Sequence, residues 1–347
     1  MYQPNWKRCR FNNALRSRLE KRSEIVFGIR EFFRGRGFLE VETPTVVALP
    51  GMEPNLEPFR TEVTRNDGAR FAAHLITSPE YACKKLLASG FKRIFEITRC
   101  YRNGEPWDGG HNPEFTMIEW YRAGADYTAI MADTEELVAD LARRFRGGTE
   151  ITYQGKQIDV AAPWERLTVA EAFDRFTGID LPAMIDDPER FRQALAERGL
   201  EAGDGDTFDD MFFRVFLRDI EPKLGAERPV ILYEYPRQMA ALARMKAADP
   251  RFAERFEAYV CGLELCNAFS ELTDAAEQVR RLEEEAAERA RLGRHEYPID
   301  RQFIEAVGMM PEAAGIALGV DRLVMLLTDA PTIKDVLFFP ATDIFNT

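Results

Sequence analysis

The sequence predicts an α+β fold in which helices flank an antiparallel β-sheet. Segments with strand character are joined by hairpins or by long excursions, which favours this class over a parallel sheet with regular alternation of strands and helices. The 347 residues are 46% apolar and 30% charged, an ordinary balance for a chain that buries one large core or two smaller ones. No apolar run approaches the roughly 18 residues of a membrane-spanning helix.

Periodicity and capping signals predict the first elements. Apolar side chains on one helical face at 15–33 indicate a long helix that ends at Gly35. An extended run at 38–43 follows it. The sequence Thr-Ser-Pro-Glu at 77–80 predicts the start of a second helix, with a hydroxyl cap, a first-turn proline and a glutamate placed for a capping box. That helix should end at Gly90.

The same signals define the rest of the chain, in which the region at about 147–227 is a possible helical insertion. A capping box formed by Thr168 and Glu171 opens its first helix. The other predicted elements are strands at 93–102 and 114–122, a helix at about 128–146, a hairpin at 150–160, strands at 229–235 and about 256–269, a charged helix at 274–292, and a strand, glycine-rich turn, helix and short strand from 315 onward. In the charged helix, Glu277 and Arg281, and Glu285 and Arg289, stand at the i,i+4 spacing of ion pairs.

Charge and cysteine content restrict the function classes. The net charge is −12; residues 1–50 carry +5 and the rest −17, so a broad nucleic-acid-binding surface is not expected. The basic first segment could meet an acidic partner or RNA, but a solvated helix face explains it more simply. The five cysteines lack CxxC spacing and no secretory signal is present, so we expect a cytoplasmic protein with reduced thiols.

The predicted hairpin at 93–122 could carry chemistry. Alternate side chains share one face of a strand, so Arg102, Phe115, Glu119 and Tyr121 can lie over one surface. A fixed cation, a flat aromatic ring, a carboxylate and a phenol suit a phosphate, a purine and an ammonium group. An amphipathic strand pair with a solvated polar face explains the same spacing equally well.

Two further segments pair polar residues with strands. Glu264 and Glu271 stand seven residues apart with Asn267 between them, a set that could hold Mg²⁺ and an amine; alternating exposed acids on a strand are the simpler explanation. After the glycine-rich turn that ends at Gly319, Arg322 falls in the first turn of a helix, where a cation is unfavourable, which indicates an anionic ligand. Taken alone, a tight strand-to-helix turn explains the glycines.

Together and in this order, the segments resemble the three signature motifs of class II aminoacyl-tRNA synthetases. The strings are GFLEVETPTVVALPG for motif 1, ITRCYRNGEPWDGGHNPEFTMIEW for motif 2 and GIALGVDRLVML for motif 3. TSPEY, HNPEFTMIEWY and LELCNAFSELTDAAEQ resemble the lysyl branch. Lysyl-tRNA synthetases carry an OB-fold anticodon-binding domain before motif 1, whereas here the motif 1 helix starts by about residue 14. We therefore expect one catalytic domain over 1–347 without an OB-fold domain.

This truncated arrangement resembles the elongation factor P–(R)-β-lysine ligase family. The resemblance implies that ATP, with Mg²⁺, activates (R)-β-lysine or lysine as an adenylate, which then acylates a lysine side chain of elongation factor P. It also implies a homodimer, with tRNA an unlikely partner. The alternatives are a minimal lysyl-tRNA synthetase that acylates tRNA, a ligase with another acceptor, and a non-catalytic regulatory paralogue.

The resemblance assigns roles residue by residue, with Arg102 and Arg322 as the catalytic pair. Arg102 would grip the α-phosphate and the substrate carboxylate, and Arg322 the γ-phosphate. Glu264 and Glu271 would face Mg²⁺. The full ATP-binding set is Arg102, Asn103, Glu105, His111, Asn112, Phe115, Glu264, Leu265, Gly319 and Arg322. The amino-acid set is Ser78, Glu80, Glu119, Tyr121, Asn267, Glu271 and Ala317.

The chain departs from the family pattern at several of these positions. Gly104 stands where motif 2 commonly has glutamate, and the glutamate of this chain is the next residue, Glu105. Cys266 and Ala268 replace smaller residues that are usual in lysyl-type strings. Ala317 replaces a motif 3 glycine, and its methyl group would narrow the space for the amine of α-lysine and favour a β-amino acid. A tolerated small residue on a buried strand is the simpler explanation of Ala317.

Overall fold

The computed structural model describes residues 3–107, 109–203 and 205–345. Its strands are β1 (Leu39–Glu40), β2 (Val46–Val47), β3 (Arg60–Thr64), β4 (Arg70–Leu75), β5 (Arg93–Tyr101), β6 (Glu114–Ala123), β7 (Glu150–Tyr153), β8 (Lys156–Asp159), β9 (Glu165–Thr168), β10 (Val230–Pro236), β11 (Phe252–Val260), β12 (Leu263–Ser270) and β13 (Ala313–Gly319). Its helices are α1 (Asn5–Arg8), α2 (Asn13–Gly35), α3 (Glu80–Ala88), α4 (Tyr127–Arg146), α5 (Val169–Thr177), α6 (Pro188–Ala196), α7 (Phe208–Val215), α8 (Ala275–Arg291), α9 (Arg301–Met309), α10 (Val320–Thr328) and α11 (Ala341–Phe345).

An eight-stranded sheet forms the centre of the fold, in the order β1-β5-β6-β13-β12-β11-β10-β9. The six inner strands run antiparallel to one another. The two edge strands, β1 and β9, pair in parallel with β5 and β10. The α+β class with a mainly antiparallel sheet is therefore confirmed. Within the described residues, no helix is long and apolar enough to cross a membrane.

The two faces of the sheet differ in character, and this difference positions the site. Trp120 of β6 and Ile316 of β13 point into the main apolar core, where they meet Phe33 of α2 and Leu323 of α10. Because successive side chains of a strand alternate, Glu119 and Tyr121 of β6 and Ala317 of β13 project to the opposite face. That face carries the candidate site.

The predicted insertion at about 147–227 has two parts. The β7–β8 hairpin joins the main core through Ile151 and Ile158. The helices α5, α6 and α7 instead share a second core, built around Phe173, Phe191 and Phe212, that packs on β9 and β10. The Thr168–Glu171 capping box at its start is present as predicted.

Three predicted elements differ in the structure. The run at 38–43 pairs as a strand only at Leu39–Glu40, and no short final strand forms among the described residues, where a 3-10 turn at Ile333–Val336 and α11 take its place. The predicted strand at 256–269 is a hairpin. Its turn uses Cys261 and Gly262, both with positive φ (54° and 79°), a backbone conformation that residues such as Cys rarely adopt.

Two predicted side-chain interactions also differ. Glu80 does not close a capping box at the start of α3: its backbone N–H donates to Ser78 Oγ at 3.0 Å, but its carboxylate pairs with Lys84. On α8, Arg281 pairs with Glu277 at 2.7 Å as predicted. Arg289 instead donates to backbone carbonyls in the segment before β3 and does not pair with Glu285.

Candidate active site

A cleft lies over the polar face of the sheet, beside β6, β12 and β13, and holds about 870 Å³ of empty space, including its open part. It gathers residues from the predicted hairpin, from the segment that begins at Glu264 and from the glycine-rich turn, which the chain separates by up to about two hundred positions. The sequence-predicted residues that line it are Arg102, Glu105, His111, Asn112, Phe115, Glu264, Leu265, Asn267, Ala317, Gly319 and Arg322.

Arg102, at the end of β5, presents its guanidinium to the cleft. Its Cζ lies 5.0 Å from the centre of the Phe115 ring, close enough for a cation–π contact. Its Nε is buried and has no hydrogen-bond partner in the part of the chain that the structure describes. Because a buried donor without an acceptor costs free energy, this guanidinium is suited to an anionic ligand.

Arg322 occupies the first turn of α10, as predicted, and lines the same cleft. Its Nη1 donates to the backbone carbonyl of Glu264 at 2.9 Å and lies 3.3 Å from the carboxylate of that residue. Its Nη2 is 3.2 Å from His111 Nε2. Arg322 is therefore held in place by β12 and by the loop before β6, with the positive end of the α10 dipole beside it.

Some residues of the loop between β5 and β6 line the cleft and others do not. Asn103 is absent from the cleft lining, and its N–H donates to Glu57 at 2.7 Å. Gly104 has φ +76°, so the glutamate usual in this motif would be strained there; Glu105, the next residue, lines the cleft. The Asn112 amide donates to Glu114 and accepts from Ala341, which ties the loop to α11.

Glu257, which the sequence analysis missed, interacts with Glu264 but is not among the residues that line the cleft. Burial and the charge of Glu257 raise the pKa of Glu264, while Arg322 opposes the rise. Glu257 itself accepts from Tyr235, Arg255 and Tyr259 at 2.6–2.7 Å. The two acids stand on adjacent strands of the β11–β12 hairpin, seven residues apart, and the unrecognised turn concealed this pairing.

Beside the cleft, Glu119 is the centre of a cluster of buried polar side chains, which we call the inner pocket. Ser78 Oγ donates to its Oε1 at 2.5 Å and Tyr121 OH donates to its Oε2 at 2.6 Å. Burial, with the charge of Glu80 adding to it, raises the pKa of Glu119 to about 8. Ala317, which lines the cleft, stands directly between Glu119 and Asn267 in the sheet register.

Glu271 lies in the inner pocket and not in the cleft. Its Oε2 is 2.7 Å from Lys84 Nζ, and the same Nζ is 2.6 Å from Glu80. Burial raises the pKa of Glu271 to about 8, although Lys84 opposes the rise. Gly315 is required here, because a Cβ would lie 2.3 Å from the Tyr121 ring and 2.5 Å from Glu271 Oε1.

Asn267 is oriented by a residue behind it. Arg255 Nε donates to its side-chain oxygen at 2.9 Å, and this contact turns the amide NH₂ away from Arg255. Among the described residues, no group of three or more His, Cys, Asp or Glu side chains is arranged to hold a metal. An ion in the cleft would need ligand oxygens in addition to those of Glu257 and Glu264.

The comparisons with known proteins define the class of protein. Residues 2–343 match the family described as tRNA synthetases class II (D, K and N), and the chain belongs to this family. Members to which it is similar include lysine–tRNA ligases. The lysine–tRNA ligase of Moorella thermoacetica is 41% identical over 320 residues, which are 92% of this chain and 64% of that protein.

A second relative gives the same result. The lysine–tRNA ligase of Pelotomaculum thermopropionicum is 39% identical over 331 residues, 95% of this chain and 64% of that protein. The chain thus spans just under two thirds of the length of these relatives.

Proposed function

We propose that this chain uses ATP to activate an amino acid with two amino groups, lysine or (R)-β-lysine, as an aminoacyl-adenylate. One observation carries the proposal: Arg102, Arg322 and Ala317 line one cleft, and Ala317 is paired in the sheet with Glu119 of the inner pocket, which also holds Glu271. The two guanidiniums in the cleft suit phosphates. The two buried carboxylates beside it suit an ammonium group.

The chemistry needs positioning more than proton transfer. The substrate carboxylate attacks the α-phosphorus of ATP, a new P–O bond forms, and pyrophosphate leaves with the electrons of the broken P–O bond. Arg102 would bind the α-phosphate and the attacking carboxylate, and Arg322 the γ-phosphate. Both guanidiniums are placed before the reaction, so they stabilise developing charge without reorganisation.

The residues present also fit Mg²⁺. This ion is usually bound through one or two carboxylates together with substrate phosphates, and Glu264, which lines the cleft near Glu257, is such a carboxylate. Glu257 and Glu264 would hold the ion, which would neutralise phosphate charge when bound. Glu271, paired with Lys84, would contact the substrate amine.

For the second step we propose elongation factor P as the acceptor. The amine of its lysine would attack the acyl carbon of the adenylate, form an amide and release AMP. Two features support this choice: the resemblance to the elongation factor P ligase family and the alanine at position 317, whose methyl group lies beside Glu119 and Asn267. The proposed location is the cytoplasm.

A specific observation favours a second candidate, acylation of tRNA. The similar proteins are named as lysine–tRNA ligases, so the expectation that tRNA is an unlikely partner gains no support from them. The two candidates share the first step and differ only in the acceptor.

Pyrophosphate exchange followed by transfer tests the proposal. The purified chain should exchange pyrophosphate into ATP with lysine or (R)-β-lysine and not with norleucine, which lacks the terminal amine. Labelled adenylate should then be offered to elongation factor P and to lysine tRNA in parallel. Label on the protein supports the proposed acceptor, label on tRNA supports the second candidate, and exchange without an amino acid requirement contradicts both.

A further inference from the structure

Lys84 is a fully buried cation that none of the motif-like segments singles out. Its side chain on α3 is 0% exposed, and its Nζ lies 5.1 Å from the centre of the Phe269 ring and 5.9 Å from that of Phe303. Two carboxylates and two aromatic faces therefore enclose the ammonium. Although burial acts to lower it, the charges of Glu271 and Glu80 keep the pKa of Lys84 above its usual value.

The partners of Lys84 are the informative feature. It contacts Glu80 at 2.6 Å and Glu271 Oε2 at 2.7 Å, two acids that the proposed function assigns to the amino-acid pocket. The second oxygen of Glu271, Oε1, has no hydrogen-bond partner among the described residues. This oxygen lies against Gly315, where a Cβ would be only 2.5 Å away, so the missing side chain lets the backbone approach it closely.

We propose that Lys84 is a positioning residue of the amino-acid pocket: its ammonium holds Glu80 and Glu271 Oε2 in place and leaves Glu271 Oε1 for the terminal ammonium of a diamino acid. This inference rests on the proposed function and deepens it. It adds Lys84 to the residues that position the substrate amine.

The physical reason is the behaviour of like charges. Two buried carboxylates without a cation between them repel each other. Without Lys84, Glu271 would lose the contact that fixes its Oε2 and would no longer hold Oε1 in place for the substrate. Alternatively, the substrate ammonium would enter the vacated position, which misplaces the rest of the molecule relative to Arg102. A buried ion pair of this kind contributes little net stability but fixes an arrangement.

The test removes the charge and then returns it. Lys84→Met keeps the length of the side chain, and Lys84→Ala leaves a space for propylammonium, which has the atoms that the variant lacks. The matched control is Lys85→Met, because Lys85 is the next residue of α3 and pairs with Asp300 at 2.7 Å at a half-exposed position. The measurements are KM for lysine and KM for ATP in pyrophosphate exchange.

We expect Lys84→Met and Lys84→Ala to raise KM for lysine by about a hundredfold or more and to leave KM for ATP within about threefold. Propylammonium should recover about tenfold of the loss in Lys84→Ala, whereas propanol, its neutral counterpart, should recover none. Lys85→Met should match the unmodified chain. A purely structural role of Lys84 would not explain recovery by propylammonium without recovery by propanol.

Several outcomes would overturn the inference. Unchanged KM for lysine in Lys84→Met would do so, as would equal recovery by amine and alcohol or an equal loss of ATP affinity. Failure of both variants to fold, even with propylammonium present, would assign Lys84 to the stability of the fold. If the unmodified chain and Lys85→Met show no amino-acid-dependent exchange, the proposed function fails first.

Discussion

Arg102 and Arg322 are held in different ways, and the difference predicts how their variants behave. Arg102 has a buried Nε without a partner, whereas Arg322 is bonded to Glu264. Replacing either by Ala should lower pyrophosphate exchange by about 10²–10³, the usual loss for one preorganised contact to a developing charge. Arg322→Ala alone should also lower the melting temperature, because it leaves Glu264, which is only partly exposed, without its cation.

Arg99→Ala is the matched control for this pair. Arg99 lies on β5, three residues before Arg102. Its half-exposed side chain pairs with Glu114, and an ion pair at such a position contributes little stability. Exchange should be unchanged in this variant. Near-normal exchange in Arg102→Ala or Arg322→Ala would contradict the assigned roles.

Ala317 is predicted to set the preference between α- and β-lysine. Its methyl group lies between Glu119 and Asn267 in the sheet register. Ala317→Gly should raise activity toward α-lysine relative to (R)-β-lysine by roughly 10–200-fold, the range for one methyl group in a pocket. The ratio of kcat/KM values measures this effect. An unchanged ratio, or an unmodified chain that already prefers α-lysine, would reject the role of Ala317.

Glu119 and Glu271 make both stability and binding depend on pH. Burial raises the pKa of each from 4.5 to about 8. Because the folded pKa exceeds the unfolded one, their contribution to the free energy of unfolding is complete below pH 4.5 and is lost as pH rises through about 8. Denaturant unfolding of the ligand-free chain should show this decline, and Glu119→Gln should reduce it.

Substrate binding should follow the opposite trend over the same range. An ammonium group binds the ionised carboxylate, so KM for lysine should fall as pH rises towards about 8. In Glu271→Gln, KM should be raised and its pH dependence weakened. A KM for lysine that is constant between pH 6 and 8 in the unmodified chain would be inconsistent with these carboxylates as ligands of the amine.

At the scale of elements, the β11–β12 hairpin predicts a metal requirement. It sets Glu257 beside Glu264, and three donors hold Glu257 in place. Glu257→Gln should raise the Mg²⁺ concentration for half-maximal exchange by about 10–100-fold. Glu254→Gln, on the same strand but paired with Arg244, is the control. Equal Mg²⁺ dependence of both variants and the unmodified chain would remove Glu257 from the proposed site.

The same hairpin shows which features the sequence could predict. The β5–β6 pair was predicted within a residue at each end, and α2 at its carboxyl end, because alternation and helical periodicity extend over nine or more residues there. Cys261 gave no signal for its positive φ, so β11 and β12 were merged and Glu257 was missed. Lys84 was missed for another reason: its partner Glu271 is distant in the chain, and only the tertiary fold brings them together.

At the scale of the whole molecule, the exposed apolar side chains of the first segment predict a homodimer. Phe27 of α2 is 61% exposed and Leu39 of β1 is 49% exposed, and a partner copy that covers them would remove this apolar surface from water. Sedimentation at micromolar concentration should show a dimer. Phe27→Asp should shift it towards the monomer, and a monomeric unmodified chain would contradict the prediction.

The direction of the substrate across the molecule is the most consequential proposal, and one crystal structure tests it. The chain should be crystallised with a non-hydrolysable lysyl-adenylate analogue. We expect the adenine against Phe115, the phosphate-like group on Arg102, and the terminal ammonium within hydrogen-bond distance of Glu119 and Glu271 Oε1, with Lys84 still on Oε2. An ammonium bound elsewhere, or a phosphate-like group that does not contact Arg102, would contradict the proposed site.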